Sequence, residues 1–179
     1  MISTAVIMSA LELGCVYALV ALALFLSFRV LNIADMTTDG SFTLGCAVSA
    51  TLAVAGHPYL ALPAAMAAGA CAGIVTALLQ TKWGVPSILA GIITNTGLYT
   101  VNLAVMGFSS NVNMLKTVTI FTPFPGLKII PAVIITVFVA AILVLFLSTR
   151  LGLSIRATGD KPDMVRASSI NTGLTITIG

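Results

Sequence analysis

The 179-residue chain carries only five acidic side chains, and three of them, Glu12, Asp35 and Asp39, fall inside or beside strongly apolar sequence. Asp35 and Asp39 stand four apart in LNIADMTTDGSFTLG (Leu31 to Gly45), with Thr37 and Thr38 between them and Gly40-Ser41 after. Carboxylates in such a setting can line a watery path, hold or relay a cation, or cap a helix. Thr38 or Asp39 is expected to cap the helix that follows by accepting backbone N–H bonds, and an acid there also complements the helix dipole. Non-helical backbone at membrane depth persists only when buried in protein or lining a cavity, and broken helices of this kind often build transport pathways. The stretch therefore reads either as a pathway or gate element or as an interfacial loop before a well-capped helix.

Other polar groups are spaced for helix faces. Glu12 interrupts a long apolar run, where a central charge costs about 2.5–3.5 kcal/mol, so it should face protein or water, or sit hydrated near the outer interface. Asn95 and Asn102 are seven apart, with Thr94, Thr96, Tyr99 and Thr100 nearby, a pattern suited to inter-helix hydrogen bonds or to the wall of a solute path. Cys15, Cys46 and Cys71 lie in apolar segments without CxxC or histidine spacing, so packing rather than a metal or disulfide is expected. No GxxxxGK[ST] phosphate loop, HExxH or GxSxG is present, which leaves ATP binding and intramembrane enzymology without a motif and implies no cofactor. His57, beside Pro58, is read as a turn residue.

The elements that must hold these groups follow from composition. Hydrophobic residues make up 59% and charged residues 7%, with a mean hydropathy of +1.14. Soluble domains carry roughly a quarter charged residues, so the lipid bilayer is the main solvent. The net charge of +3 is scattered and gives no sign of a nucleic-acid partner. Spanning helices need about 20 apolar residues, and runs of that quality cover Ile2 to Phe28, Leu60 to Leu79, Ile88 to Met106 and Ile129 to Leu147. Ser41 to Ala55 reads as a short or broken second span. Thr172 to Gly179 reads as the start of a sixth, with the chain stopping in mid-helix and Met1 beginning the mature protein. The fold class is all-α, a polytopic helix bundle of about five complete spans in a single transmembrane domain, residues 1–179.

If the spans alternate, Arg29, Lys82, Arg150, Arg156, Lys161 and Arg166 share one side and Lys116 and Lys128 the other, which puts Arg150 to Asn171 in the cytoplasm and the N-terminus outside. Gly69 and Gly73 form a GxxxG extended backward by Ala65, a small-residue stripe for close helix contact. In RLGLSIRATGDKPDMVRASSIN (Arg150 to Asn171), Gly159-Asp160 before Lys161-Pro162-Asp163 reads as a helix start, with Asp160 as cap and Pro162 in the first turn. Met164, Val165 and Ile170 are available for burial.

GLSIRATGDKPDMVRASSIN, LNIADMTTDGSFTLG and VPSILAGIITNTGLYTVNL, three motifs in one order over nearly the whole chain, resemble the permease subunits of bacterial ABC importers of the branched-chain amino acid and ribose type. The nearest likeness is to a subgroup associated with aromatic amino acid uptake. The resemblance implies a protein of the bacterial inner membrane that is no enzyme. It implies a second permease subunit as partner, an extracytoplasmic solute-binding protein that delivers substrate, and a cytoplasmic ATPase that drives alternating access. It also implies that the helix around Gly159, Asp160 and Pro162, flanked by Arg156 and Arg166, couples to that ATPase. Family members continue for several spans beyond such a helix, and this sequence departs from the pattern by ending at Gly179. An ion-coupled secondary transporter or channel using Glu12, Asp35 and Asp39 is the alternative, and it leaves the cytoplasmic helix without a task.

Overall fold

A computed structural model describes residues 4–109, 111–114, 117–119, 129–167 and 172–179, with the side chains of 4, 5, 162 and 166 left aside. Lys116, Lys128 and Ile170 lie outside the described residues. Every regular element among those described is a helix: α1 Thr4–Phe25, continued by a wider π-helical turn Leu26–Leu31, α2 Thr38–Val54, α3 Pro58–Thr81, α4 Ser87–Val105, α5 Ile129–Ser148, α6 Arg150–Asp160, α7 Pro162–Ala167 and α8 Thr172–Ile178. Four are long and apolar enough to cross a bilayer: Val6–Leu31, Pro58–Thr81, Ser87–Val105 and Ile129–Ser148. They leave Ile134, Val137, Phe138, Val144 and Leu145 of α5 exposed on several faces, as a helix solvated by lipid does. The chain is a polytopic membrane helix bundle.

α2 is short, as expected, with 17 residues giving a rise of about 25 Å against a hydrocarbon core of about 30 Å. It is unbroken, however. The irregular backbone lies ahead of it, at residues 32–37.

Local chemistry sets the helix ends. The π turn closes on Asn32, in the left-handed region at φ 54°. There Ser27 Oγ donates to the Ile33 carbonyl at 2.8 Å. Gly56, at φ 87°, ends α2: its N–H reaches the Ala53 carbonyl and the His57 N–H reaches that of Leu52, both at 3.1 Å. This is the paired bonding that satisfies orphan carbonyls at a helix C-terminus. Pro58 then opens α3 at a position where its missing N–H costs nothing. Gly56-His57-Pro58 is thus a helix stop followed by a helix start.

The chain divides into two compact units, Met1–Ile33 with Pro123–Gly179, and Ala34–Thr122. In the first, Val30, Leu31, Leu147 and Ile155 form the core, packed by Leu26, Leu143, Phe146 and Ile176. α1 and α5 also run together higher up, where Thr136 Oγ1 donates to the Cys15 carbonyl at 3.2 Å. In the second, α2, α3 and α4 pack pairwise around Leu44, Ala72 and Leu98.

Candidate functional site

Two regions gather the residues singled out by sequence, one in each unit. In the second unit the segment leading into α2 runs along α4. Asp35 Oδ1 accepts from the Thr37 N–H at 2.8 Å and also from the Thr37 hydroxyl. The acid is therefore turned back on its own backbone two residues on, an Asx turn. Thr37, 2% exposed, occupies the cap position of α2 without a side-chain cap bond. This corrects the expected cap: Thr38 and Asp39 are already inside the first turn, because the Asx turn at Asp35 makes the break one residue earlier. Thr38 is half-buried and Asp39 exposed.

Two glycines let this segment approach α4. A Cβ on Gly40 would overlap Asn95 Oδ1 and lie 3.2 Å from Leu98 Cδ1, while a Cβ on Gly91 would come within 2.9 Å of the Met36 backbone nitrogen. The inner face of α4 is the stripe Ala90, Gly91, Thr94, Leu98 and Asn102. Along it Thr94 Oγ1 and Asn102 Oδ1 are buried without a hydrogen-bond partner among the described residues. Buried polar atoms are ordinarily paired, at a cost of about 1–3 kcal/mol when they are not. Thr94 also lines an open groove of about 670 Å³ walled by Leu44, Ala68, Val75, Leu98 and Val101. Asn95, half-buried, meets the chain at Gly40.

The GxxxG stripe makes no comparable contact. A Cβ on Gly69 or Gly73 would meet nothing within 4 Å. Close approach within this chain occurs instead at Gly40, Gly91, Gly152 and Gly159; Gly91 and Gly152 follow a serine four residues earlier, Ser87 and Ser148, whereas Gly40 and Gly159 stand in no small-xxx-small pattern.

The first unit holds the segment after α5. Thr149 caps α6, its Oγ1 accepting from the Gly152 N–H at 3.3 Å. A Cβ on Gly152 would stand 2.7 Å from the Leu147 carbonyl carbon, so the chain folds back tightly on the end of α5. The helix buries Gly152, Ile155 and Thr158, and the Thr158 and Thr175 hydroxyls meet at 3.1 Å, joining α6 to α8. A Cβ on Gly159 would overlap the Val30 carbonyl oxygen and lie 3.0 Å from the Leu31 carbonyl carbon. The last turn of α6 is thus seated on the backbone of the π turn that ends α1.

Here too the expected cap moves. Asp160 is the final residue of α6 rather than the cap of the next helix; the Lys161 carbonyl accepts from the Met164 and Val165 N–H groups at 3.2 and 3.4 Å, and Pro162 opens α7. Val165 is buried, whereas Met164 is 70% exposed. Arg156 and Asp160 are exposed, and the backbone of Arg166 belongs to α7. Glu12 lies half-buried in α1, three residues before the Cys15 carbonyl that takes the Thr136 bond.

Comparison with known proteins adds to this geometry. The family model for the permease component of branched-chain amino acid transport systems matches residues 6–178. A tyrosine transport system permease protein of Clostridioides difficile is 32% identical over 171 residues, 93% of this chain and 56% of the relative. An uncharacterized protein of Rickettsia prowazekii is 31% identical over 161 residues, 89% of this chain and 57% of the relative. The chain therefore spans a little over half the length of these curated relatives. No solved structure matches it. With its apolar spans and a family match over nearly its whole length, the chain belongs to the family of branched-chain amino acid permease components of ABC-type transport systems, multi-pass proteins of the bacterial inner membrane that are not themselves enzymes.

Proposed function

We propose that this chain belongs to the membrane-spanning part of an ABC importer that moves a small organic solute, an amino acid, inward by alternating access. The name of the Clostridioides relative, a tyrosine transport permease, favours an aromatic amino acid as cargo. A cytoplasmic ATPase supplies the work, an extracytoplasmic binding protein delivers the solute, and a second permease subunit, a copy of the same protein, completes the path. Four full spans and the short α2 make five crossings in this reading.

One observation carries it. The end of α6 rests through Gly159 on the backbone of Val30 and Leu31, directly before the left-handed Asn32 and the polar segment that opens α2. An ATPase gripping Asp160 to Arg166 would move α6, and α6 would move the terminus of α1 through a contact between two backbones. Rigid elements meeting without intervening flexible side chains transmit displacement with little slack. Asp35, Thr38, Asp39 and Asn95 then belong to the element that the motion rearranges, with Glu12 facing the hydrated part of the bundle.

The test is co-purification of the full-length protein with its ATPase, comparing the natural sequence with Asp160→Lys plus Pro162→Gly. The double variant should lose the ATPase while keeping its thermal midpoint. Undiminished association would refute the coupling role, and uptake that follows a proton or sodium gradient rather than ATP would refute the importer.

A further inference from the structure

We propose that α6 is also an anchor for anionic phospholipid, lying in the membrane interface with its outward face against lipid headgroups. This rests on the membrane reading of the chain and not on the coupling to an ATPase. α5, a candidate span, ends at Ser148, and α6 begins two residues later. The buried face of α6 is held at both ends of its length by span termini, Leu147 of α5 near Gly152 and the Val30–Leu31 backbone at Gly159. A helix of 11 residues fixed to the ends of two spans has to run along the boundary of the bilayer.

Its other face is built for that depth. Leu153, at its centre, is 56% exposed. At 100° per residue, Arg150 and Arg156 flank Leu153 on the outward side, with Ala157 one turn further on. Arg29, in the π turn that α6 packs against, and Lys161, just past the helix, are exposed as well. Among the described residues none of these four cations forms an ion pair, although all five acids of the chain are described. The carboxylates closest in sequence are Asp35 for Arg29 and, for the other three, Asp160, at the far end of the helix, and Asp163, in α7. An exposed leucine between two unpaired arginines matches a surface with acyl chains below and phosphates above. A soluble partner would instead be expected to bring carboxylates to all four cations.

The experiment uses tryptophan fluorescence of the whole chain in vesicles. The sole native tryptophan, Trp83, is replaced by Trp83→Phe, and Leu153→Trp places the reporter on the outward face. Quenching is compared for phosphatidylglycerol and phosphatidylcholine brominated on their acyl chains, at equal mole fraction. The anionic lipid should quench at least about threefold more effectively, given several cations near the surface. Arg150→Gln with Arg156→Gln should bring the ratio toward one, and Arg150→Lys with Arg156→Lys should keep it. Circular dichroism confirms that each variant retains its helices. Equal quenching by the two lipids in the arginine background, or an unquenched, water-exposed emission in both, would overturn the proposal. So would loss of the preference on adding soluble glycerol phosphate, which would make the site one for a free phosphate.

Discussion

Gly159→Ala puts the seat of α6 to a quantitative test. In a helix free of neighbours the change should stabilise, because glycine in a helix interior is about 1 kcal/mol worse than alanine. At this position the new methyl would overlap the Val30 carbonyl oxygen and approach the Leu31 carbonyl carbon to 3.0 Å. Both obstacles are backbone, so no rotamer change clears them, and overpacking of this kind costs about 1–3 kcal/mol. Gly73→Ala in α3 is the matched control, since a Cβ there meets nothing within 4 Å. The two variants should therefore separate by about 2–4 kcal/mol when the propensity gain applies to the control alone. In detergent, the thermal midpoint of Gly159→Ala should fall below that of the natural sequence, while Gly73→Ala holds or rises. Equal midpoints for the two variants would refute the close seat, and with it the mechanical link from α6 to the end of α1.

Gly40→Ala should destabilise through contact with Asn95 Oδ1, and Asn95→Ala should rescue it in the double variant, whereas Gly91→Ala, blocked by the Met36 backbone, should gain nothing from any change at residue 36; thermal midpoints of the set decide this. Asp35→Ala should cost about 1 kcal/mol and speed hydrogen exchange at residues 37–41, whereas Asp35→Asn, which keeps an acceptor for the Thr37 N–H, should do neither. Thr94→Val, of the same shape, should raise stability by about 1 kcal/mol, because it removes a buried hydroxyl oxygen without a partner among the described residues. A loss of stability on Thr94→Val would show that the hydroxyl is satisfied in the membrane.

The spans were legible because lipid imposes a length and a composition on them. Ile129 to Leu147 anticipates α5 to within one residue at its C-terminal end, and Leu60 to Leu79 falls two residues short of α3 at each end. Gly56 and Pro58 announced their turn because each has a conformational reason to stand there. The segment after α5 was less readable. Gly159 and Asp160 look like a helix start before Pro162, yet they finish a helix that begins at Arg150, since a proline marks the first turn of the helix after it and says nothing about the residues before its cap. Asp35 stands out in the sequence as an acid, but whether an aspartate caps a helix or forms an Asx turn ahead of it depends on backbone angles that composition does not specify. The close contacts at Gly40 and Gly159 had no sequence signal, because a glycine records the absence of a side chain and not the identity of its neighbour.

That last point bears on where the coupling should be vulnerable. An exposed charge such as Asp160 can secure a partner, yet ion pairs at an exposed surface contribute only about 0–1 kcal/mol each and yield readily under load. A backbone seated on a backbone yields little, so under the proposed coupling a small displacement at α7 should reach the end of α1 almost undiminished. Under the proposed mechanism, charge substitutions at Asp160 should lower affinity for the ATPase while leaving transport per bound ATPase unchanged. Gly159→Ala should do the reverse, keeping the complex while uncoupling hydrolysis from uptake. Measuring ATPase binding and solute uptake on the same reconstituted preparation separates the two, and a Gly159→Ala protein that binds and transports normally would mean that the work takes another route through the bundle.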